Sequence, residues 1–137
     1  GEKIREAGLE FLYHNHDHEF TKYDGEYGLE ILFAGTKPEN MAAELDAGWV
    51  FYAGVDAPAY IRAYKGRCPL IHMKDFSSID NRNFTEIGNG IIDINAISQA
   101  AADAGTQWLI VEHDECSMPE LDSVRISFEN LKRMKLA

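Results

Sequence analysis

A short segment near the start of the sequence concentrates side chains that can bind metal ions or transfer protons. In YHNHDHEF, His14, His16 and His18 occupy every second position, and Glu19 follows directly. Alternate residues of a β-strand lie on one face, so His14 and His16 would lie together if the segment ends a strand. The segment is therefore a candidate metal or proton-transfer site, with His18 beyond the strand and outside the site.

Three other short apolar runs end in ionisable side chains of the same kind, namely those in MAAELDAG, PLIHMKDF and QWLIVEHDE. Imidazole and carboxylate ligands together suit a divalent first-row transition ion better than they suit calcium. The convergence of four such ends predicts a metal site whose candidate ligands are His14 or His16, Asp46, His72 and Glu112. Each residue taken alone also fits a structural role: Asp46 could cap the following loop, and Lys74 and Asp75 could form a solvated ion pair.

The elements that must position these side chains are predicted to be four strands alternating with helices. Segments with helical spacing of apolar residues lie between the predicted strands and after the last one, and no hairpin signal is found. Gly8 is predicted to end a helix that precedes the first strand. Such alternation favours a parallel sheet covered by helices. Parallel strands end on one face, where open α/β sheets and (βα)8 barrels hold their active sites. The prediction is an α/β chain of about four βα units, half of a TIM barrel, with an open four-stranded sheet as the alternative.

Composition narrows the classes of protein and partner. A chain of 137 residues that is 45% hydrophobic predicts a single folded domain over residues 1–137. The net charge of −10 argues against nucleic-acid and anionic-membrane partners, because no basic surface is available. Cys68 and Cys116 form no disulfide or zinc pattern, which favours the cytoplasm. No apolar run approaches the length of a membrane span.

The same segments carry a family resemblance. ELDAGWVFYAGVD, PLIHMKDF, IGNGIIDINAI and WLIVEHDEC, in this order, resemble the C-terminal half of the sugar phosphate isomerase/epimerase family. That family has the xylose-isomerase-like TIM barrel, with endonuclease IV and inosose dehydratase as relatives. The resemblance implies that the chain supplies strands five to eight, and it runs from about Leu9 to the end.

The resemblance also implies a ligand set for one divalent ion (Mn, Co, Zn, Mg or Fe). Family members hold the ion with Glu, Asp, His and Glu, and the last three match Asp46, His72 and Glu112. Where many relatives have a glutamate followed by asparagine, this chain has His14 and Asn15. His14 is therefore the candidate first ligand, with His16 as the alternative.

The replaced glutamate affects the mechanism that the resemblance implies. Isomerases and epimerases of the family move protons beside a metal-polarised carbonyl with two glutamates, of which only Glu112 remains here. A histidine that does not bind the ion, His16, would serve as the other base. Lys74 is a further catalytic candidate that could hold a substrate oxygen, or it could instead pair with Glu44.

Substrate contacts are predicted from residues near the strand ends. Glu19 and Asp114 could hydrogen-bond sugar hydroxyls or orient ligands, and Trp49 could form an apolar wall for a sugar ring or simply pack. The IGNG turn could approach a ligand or could need glycine only for its backbone conformation.

The expected function is a metal-dependent sugar isomerase or epimerase acting on a small sugar or polyol. An inosose-type dehydratase and a non-catalytic half barrel are the alternatives, and DNA repair of the endonuclease IV kind is disfavoured by the acidic charge. A half barrel exposes unpaired strand edges, so self-association or a separate N-terminal half barrel is expected as a partner.

Overall fold

Parallel strands form the central sheet of the computed structural model, which describes residues 1–137 apart from the side chain of Asn81. In chain order and in spatial order they are β1 (Leu12–His14), β2 (Ala42–Asp46), β3 (Leu70–Met73) and β4 (Trp108–Val111). Each strand pairs in parallel with the next. The predicted parallel α/β architecture is therefore confirmed.

Helices connect and flank these strands: α1 (Glu2–Glu6), α2 (Gly28–Ala34), α3 (Ala47–Tyr52), α4 (Ala57–Ala63), α5 (Ile94–Ala104) and α6 (Glu120–Arg133), with short 3-10 turns at His18–Phe20 and Asp80–Arg82. Local sequence explains the bounds of α5. The Asp93 carboxylate accepts the Ala96 N–H at 2.9 Å, and Gly105 ends the helix with a φ of 81°. In the described part of the chain, no helix has the length and apolarity that crossing a lipid bilayer requires.

The two faces of the sheet differ in polarity. Leu45 of β2 and Ile71 of β3 are fully buried against the helical layer, where they join Ile61 and Ile97 in the hydrophobic core. Side chains alternate along each strand, so the intervening positions of β2 and β3 point to the opposite, concave face. This arrangement directs the polar residues of the strands to one shared surface.

Two small antiparallel hairpins show that the prediction of no hairpins was wrong. Lys22–Tyr23 pairs with Glu26–Tyr27, and Asp75–Ser78 pairs with Asn83–Thr85. The first hairpin turns at Asp24 and Gly25, which both have positive φ, and Asp-Gly is a strong sequence signal for such a turn. The second interrupts the run PLIHMKDF, whose central strand ends at Met73.

Asp75 holds the IGNG turn. Its buried carboxylate accepts backbone N–H groups from Phe76, Gly88, Gly90 and Ile92 at 2.9 to 3.1 Å. Asp75 is therefore neither solvated nor paired with Lys74, which corrects the ion-pair alternative. The turn binds a carboxylate of its own chain, and Gly90 leaves no room for a β-carbon beside that carboxylate.

We predict that Asp75→Ala lowers the free energy of unfolding by about 3 kcal/mol or more, because several buried N–H groups would lose their acceptor. Asp93→Ala, which removes a single helix-capping acceptor, should cost only about 1 kcal/mol. Urea denaturation of both variants measures the difference. Equal losses would contradict the anchoring role of Asp75.

The open edge of the sheet and the last helix expose apolar surface. On β4, Trp108 is 64% exposed, and Leu109 and Ile110 are also exposed. On α6, Leu121, Val124 and Phe128 lie three and four residues apart and are all exposed. Exposed apolar side chains grouped on an edge strand and on one helix are typical of interaction surfaces.

Candidate metal and active site

The register of the parallel strands aligns the predicted ligands. His14 lies opposite Glu44 on the β1–β2 ladder, and Asp46 lies opposite His72 on the β2–β3 ladder. Glu112 follows β4 directly, and its N–H is bonded to the carbonyl of Met73 at the end of β3. The carboxyl ends of all four strands therefore contribute to one cluster.

Asp46 is the most enclosed member of this cluster, with no exposed surface. Its Oδ1 accepts the N–H of Trp49 at 3.0 Å and caps α3, so the capping role offered as an alternative is present, but the capped segment is a helix rather than a loop. Its backbone N–H donates to Oδ1 of the buried Asn15 at 3.0 Å, which ties the segment after β1 to the end of β2. These bonds fix the carboxylate and leave Oδ2 directed into the cluster.

Three buried polar atoms of the cluster have no hydrogen-bond partner among the residues that the structure describes: Asp46 Oδ2, His72 Nδ1 and Glu112 Oε2. His72 Nδ1 and Glu112 Oε2 are 2.7 Å apart but lack the alignment of a hydrogen bond. His14 Nε2 lies 3.7 Å from Asp46 Oδ2 and 4.0 Å from Glu112 Oε2. One imidazole and two carboxylates thus face a common point, with a second imidazole at its edge.

Glu44 contacts the histidines from the other side. Its Oε1 lies 2.7 Å from His72 Nε2 and 3.8 Å from His14 Nδ1. The alternative prediction that Glu44 pairs with Lys74 was wrong, since the Lys74 ammonium contacts Asp46, Glu112 and Asp114 instead. The direct opposition of Glu44 and His14 on adjacent strands was a signal that could have shown their contact.

Lys74 supplies a buried positive charge to the cluster. Its side chain is 1% exposed, and Nζ lies 2.7 Å from Asp114 Oδ1, 3.0 Å from Asp46 Oδ2 and 3.5 Å from Glu112 Oε2. The ammonium also lies 4.9 Å from the centre of the Trp49 ring. Lys74 therefore contacts carboxylates and an aromatic ring. Its role in holding a substrate oxygen stays a prediction.

Burial and charge shift the pKa values of the carboxylates in opposite directions. Burial raises the pKa of Asp46 to about 6, against the opposing effect of the Lys74 ammonium. Contact with His72 lowers the pKa of Glu112 to about 2, which outweighs the partial burial of the carboxylate. Glu112 is therefore firmly ionised, a state that suits a metal ligand better than a proton acceptor.

The two imidazoles also differ in pKa. Burial, together with the nearby His72, lowers the pKa of His14, which favours the neutral ring that can bind a metal ion. For His72, burial lowers the pKa, but Glu112 and Glu44 outweigh burial and raise it. A divalent ion at Nδ1 of His72 would take the place of a proton there.

The remaining predicted site residues lie at different distances from the cluster. The ring of His16 is exposed and lies 5.1 Å from the ring of His14, whereas His18 is farther out. Glu19 accepts bonds from the Tyr13 hydroxyl and the His16 N–H, both at 2.9 Å, so it shapes the loop after β1. Its role as a substrate contact is therefore not favoured by the geometry.

A cavity of about 190 Å³ adjoins the cluster. Trp49 and Asp114 line it, as do Arg82, Phe84 and Glu115. Trp49 lies in α3 rather than at a strand end, and it is a largely buried residue of the cavity lining, with 3% exposure. Sequence reasoning missed Arg82 and Phe84, because they reach this place through the second hairpin.

The donor set fits a single divalent ion. His14 Nε2, Asp46 Oδ2 and Glu112 Oε2 lie close enough to share one, and His72 Nδ1 lies at their side without an aligned hydrogen bond in the described structure. Lys74 offsets the charge of the two carboxylates, and a bound cation would also give His72 Nδ1, Asp46 Oδ2 and Glu112 Oε2 the partner that their buried positions call for. Two imidazoles with two carboxylates are ligands typical of Zn, Co, Fe or Mn.

Sequence comparison assigns this chain to a family. Residues 1–134 match the sequence pattern of the family described as xylose isomerase-like TIM barrel, and the chain belongs to that family. The match confirms the predicted fold class.

Individual relatives include both dehydratases and isomerases or epimerases. Inosose dehydratase from Lacticaseibacillus casei is 26% identical over 132 residues, which cover 84% of this chain and 44% of that protein. A sugar phosphate isomerase/epimerase from Parabacteroides distasonis has a TM-score of 0.79 and 26% identity over 96% of this chain and 48% of its own. The probable 3-DHS dehydratase AsbF from Bacillus anthracis shares the fold, with a TM-score of 0.76, 19% identity, and coverage of 96% of this chain and 52% of its own. The chain therefore spans about half the length of these relatives, as expected for a half barrel.

We predict that Lys74→Met lowers the free energy of unfolding of the metal-free chain by about 3 to 5 kcal/mol, because it leaves buried carboxylates without a counter-charge. Lys37→Met, at an exposed loop position, should change it by less than about 0.5 kcal/mol. Denaturation in the presence of a chelator measures both. A neutral effect of Lys74→Met would contradict the buried ion-pair network.

Proposed function

We propose that this chain carries the metal-binding and proton-transferring half of a sugar isomerase or epimerase. The main support is the convergence of Asp46 Oδ2, His72 Nδ1 and Glu112 Oε2 beside His14 Nε2, since none of the three has an aligned hydrogen bond in the described structure although Lys74 lies near both carboxylates. His14, Asp46, His72 and Glu112 would hold the ion. A divalent ion held there would polarise a substrate carbonyl and increase the acidity of the adjacent C–H bond.

Proton transfer is assigned to His16 and Glu112. The ring of His16 lies 5.1 Å from that of His14 and 5.8 Å from that of Trp49, at the exposed side of the cluster. His16 can therefore approach a substrate on the candidate ion without being a ligand, and imidazole exchanges protons readily near neutral pH. Glu112 is the weaker base of the two because its pKa is lowered to about 2.

Lys74 and Asp114 are assigned supporting roles. The Lys74 ammonium balances the carboxylates of Asp46 and Glu112, which keeps the net charge of the site low enough for folding without an ion. Asp114 is held by Lys74 at 2.7 Å and lines the adjoining cavity, where it could accept hydrogen bonds from the hydroxyls of a small sugar or polyol. Trp49 would contact a substrate in this cavity through its ring.

A dehydratase is the second candidate function, and it is favoured by the 26% identity to inosose dehydratase. The same residues would remove the proton next to the carbonyl, and a hydroxyl on the following carbon would then leave as water with the proton that the protonated base returns to it, so that a C=C bond replaces the C–H and C–O bonds. Solvent exchange of a substrate C–H without loss of water would favour the isomerase or epimerase. Loss of water would favour the dehydratase.

We predict that the chain binds one divalent ion and that Asp46→Asn weakens binding more than the roughly 100-fold typical of residues that only orient ligands. Asp56→Asn makes the same chemical change at the cap of α4, outside the site, and should leave affinity unchanged. Calorimetric titration of metal-free protein with Zn²⁺ or Mn²⁺ measures both. Binding that is unaffected by Asp46→Asn would refute the proposed site.

His16→Gln is expected to slow substrate deuterium exchange by about 100-fold or more, because it removes a positioned base. Metal affinity should not change, and His18→Gln should behave like the unaltered protein since that ring lies outside the cluster. NMR in deuterated water, with a panel of ketopentoses, ketohexoses and an inosose, measures the exchange. If His16→Gln retained full exchange activity, the base would have to lie elsewhere.

The exposed faces of β4 and α6 are proposed to pack against another four-unit half barrel, from a second copy or from a separate N-terminal half. Exposed Trp108, Val124 and Phe128 support this proposal, because burying them would stabilise an assembly. We predict that the isolated chain forms dimers or larger species and that Phe128→Lys weakens them. Light scattering after size-exclusion chromatography tests this, and a strictly monomeric chain would contradict it.

A further inference from the structure

One carboxylate oxygen contacts both imidazoles of the candidate metal site. Glu44 Oε1 lies 2.7 Å from His72 Nε2 and 3.8 Å from His14 Nδ1. The β1–β2 register places Glu44 directly opposite His14, and its own strand carries it two residues before Asp46. Glu44 therefore approaches both rings from one side.

The other nitrogen of each ring faces the opposite direction. His14 Nε2 lies 3.7 Å from Asp46 Oδ2, and His72 Nδ1 lies 2.7 Å from Glu112 Oε2. An ionised carboxylate only accepts hydrogen bonds, so a ring N–H directed at Glu44 leaves the opposite nitrogen with a free lone pair. The 2.7 Å hydrogen bond to Glu44 therefore favours, in His72, the tautomer whose Nδ1 can bind a cation beside Glu112. At His14 the same carboxylate lies 3.8 Å from Nδ1, too far for a hydrogen bond but close enough to attract that side of the ring.

We propose that Glu44 is a positioning residue that orients His14 and His72 as a pair, and that this pair increases the preference of the site for zinc-like ions over manganese. The inference rests on the metal site proposed above. A carboxylate behind a ligating histidine fixes the ring and makes it a stronger donor. Imidazole ligands suit zinc, whereas carboxylates suit manganese and magnesium.

The exposure and the neighbours of Glu44 suit a residue that orients the two imidazoles. Its side chain is 27% exposed, so the carboxylate is partly hydrated and carries its charge without full burial. The nearest cation of the cluster, Lys74, contacts Asp46, Asp114 and Glu112. The two imidazoles are accordingly the partners that the described structure gives to the Glu44 carboxylate.

The test compares the affinities of metal-free protein for Zn²⁺ and Mn²⁺, measured by competition with a chromophoric chelator. Most sites with nitrogen and oxygen ligands bind zinc more tightly than manganese, so the informative quantity is the change in the affinity ratio. Glu44→Gln keeps the size of the side chain but removes its charge, and it should weaken zinc binding about 10- to 100-fold. Manganese binding should weaken less, so the ratio should fall.

Two further variants separate positioning from general effects. Glu39→Gln makes the same charge change at an exposed loop position and should leave both affinities unchanged. His14→Glu replaces one imidazole by a carboxylate and should lower the ratio of zinc to manganese affinity. In the Co²⁺-loaded protein, Glu44→Gln should also alter the visible d–d absorption, a change that a remote effect on stability would not produce.

An unchanged affinity ratio and an unchanged cobalt spectrum in Glu44→Gln would overturn the inference while leaving the metal site intact. Complete loss of zinc binding in that variant would also overturn it, because Glu44 would then be a ligand itself. Failure of the unaltered protein to bind either ion would instead refute the proposed metal site, and with it this inference.

Discussion

The burial of Asp46 is the constraint on which the rest of the site depends. One oxygen caps α3, the backbone N–H is held by Asn15, and the other oxygen faces Lys74 and the imidazoles. Burial raises the pKa of this carboxyl to about 6 even with the Lys74 ammonium beside it, so its ionised form depends on nearby positive charge. Lys74 supplies such charge in the chain, and a divalent ion would supply more.

The parallel arrangement of the strands brings the partners of Asp46 to the same place. Asp46 and His72 are aligned across one ladder, and His14 and Glu44 across the next. The helices on the convex face bury the alternate residues, such as Leu45 and Ile71, and so leave the concave face to polar side chains. The stability of the fold and the chemistry of the site therefore come from the two faces of the same strands.

The strand ends could be predicted from sequence because each combines an apolar run with ionisable residues, and the period of two specifies which of them share a face. The same pattern could not show where long side chains reach. The sequence offered a pair between Glu44 and Lys74, but in the structure the Glu44 carboxylate contacts His72. The direction of a long side chain depends on neighbours from other strands, which the sequence pattern does not specify. The anchoring of Asp75 was missed for a similar reason: three of its donors lie more than twelve residues away in the chain. The first hairpin, by contrast, had a readable signal in Asp24 and Gly25.

The central claim is that four strand ends form one metal site in this half of the barrel. A crystal structure of the cobalt-loaded protein, with an anomalous difference map collected at the cobalt absorption edge, tests it most directly. We expect one peak, about 2.0 to 2.2 Å from its oxygen and nitrogen ligands. These ligands should be His14 Nε2, Asp46 Oδ2, His72 Nδ1 and Glu112 Oε2. A cobalt peak elsewhere, or one bound without Asp46 and His72, would contradict the account.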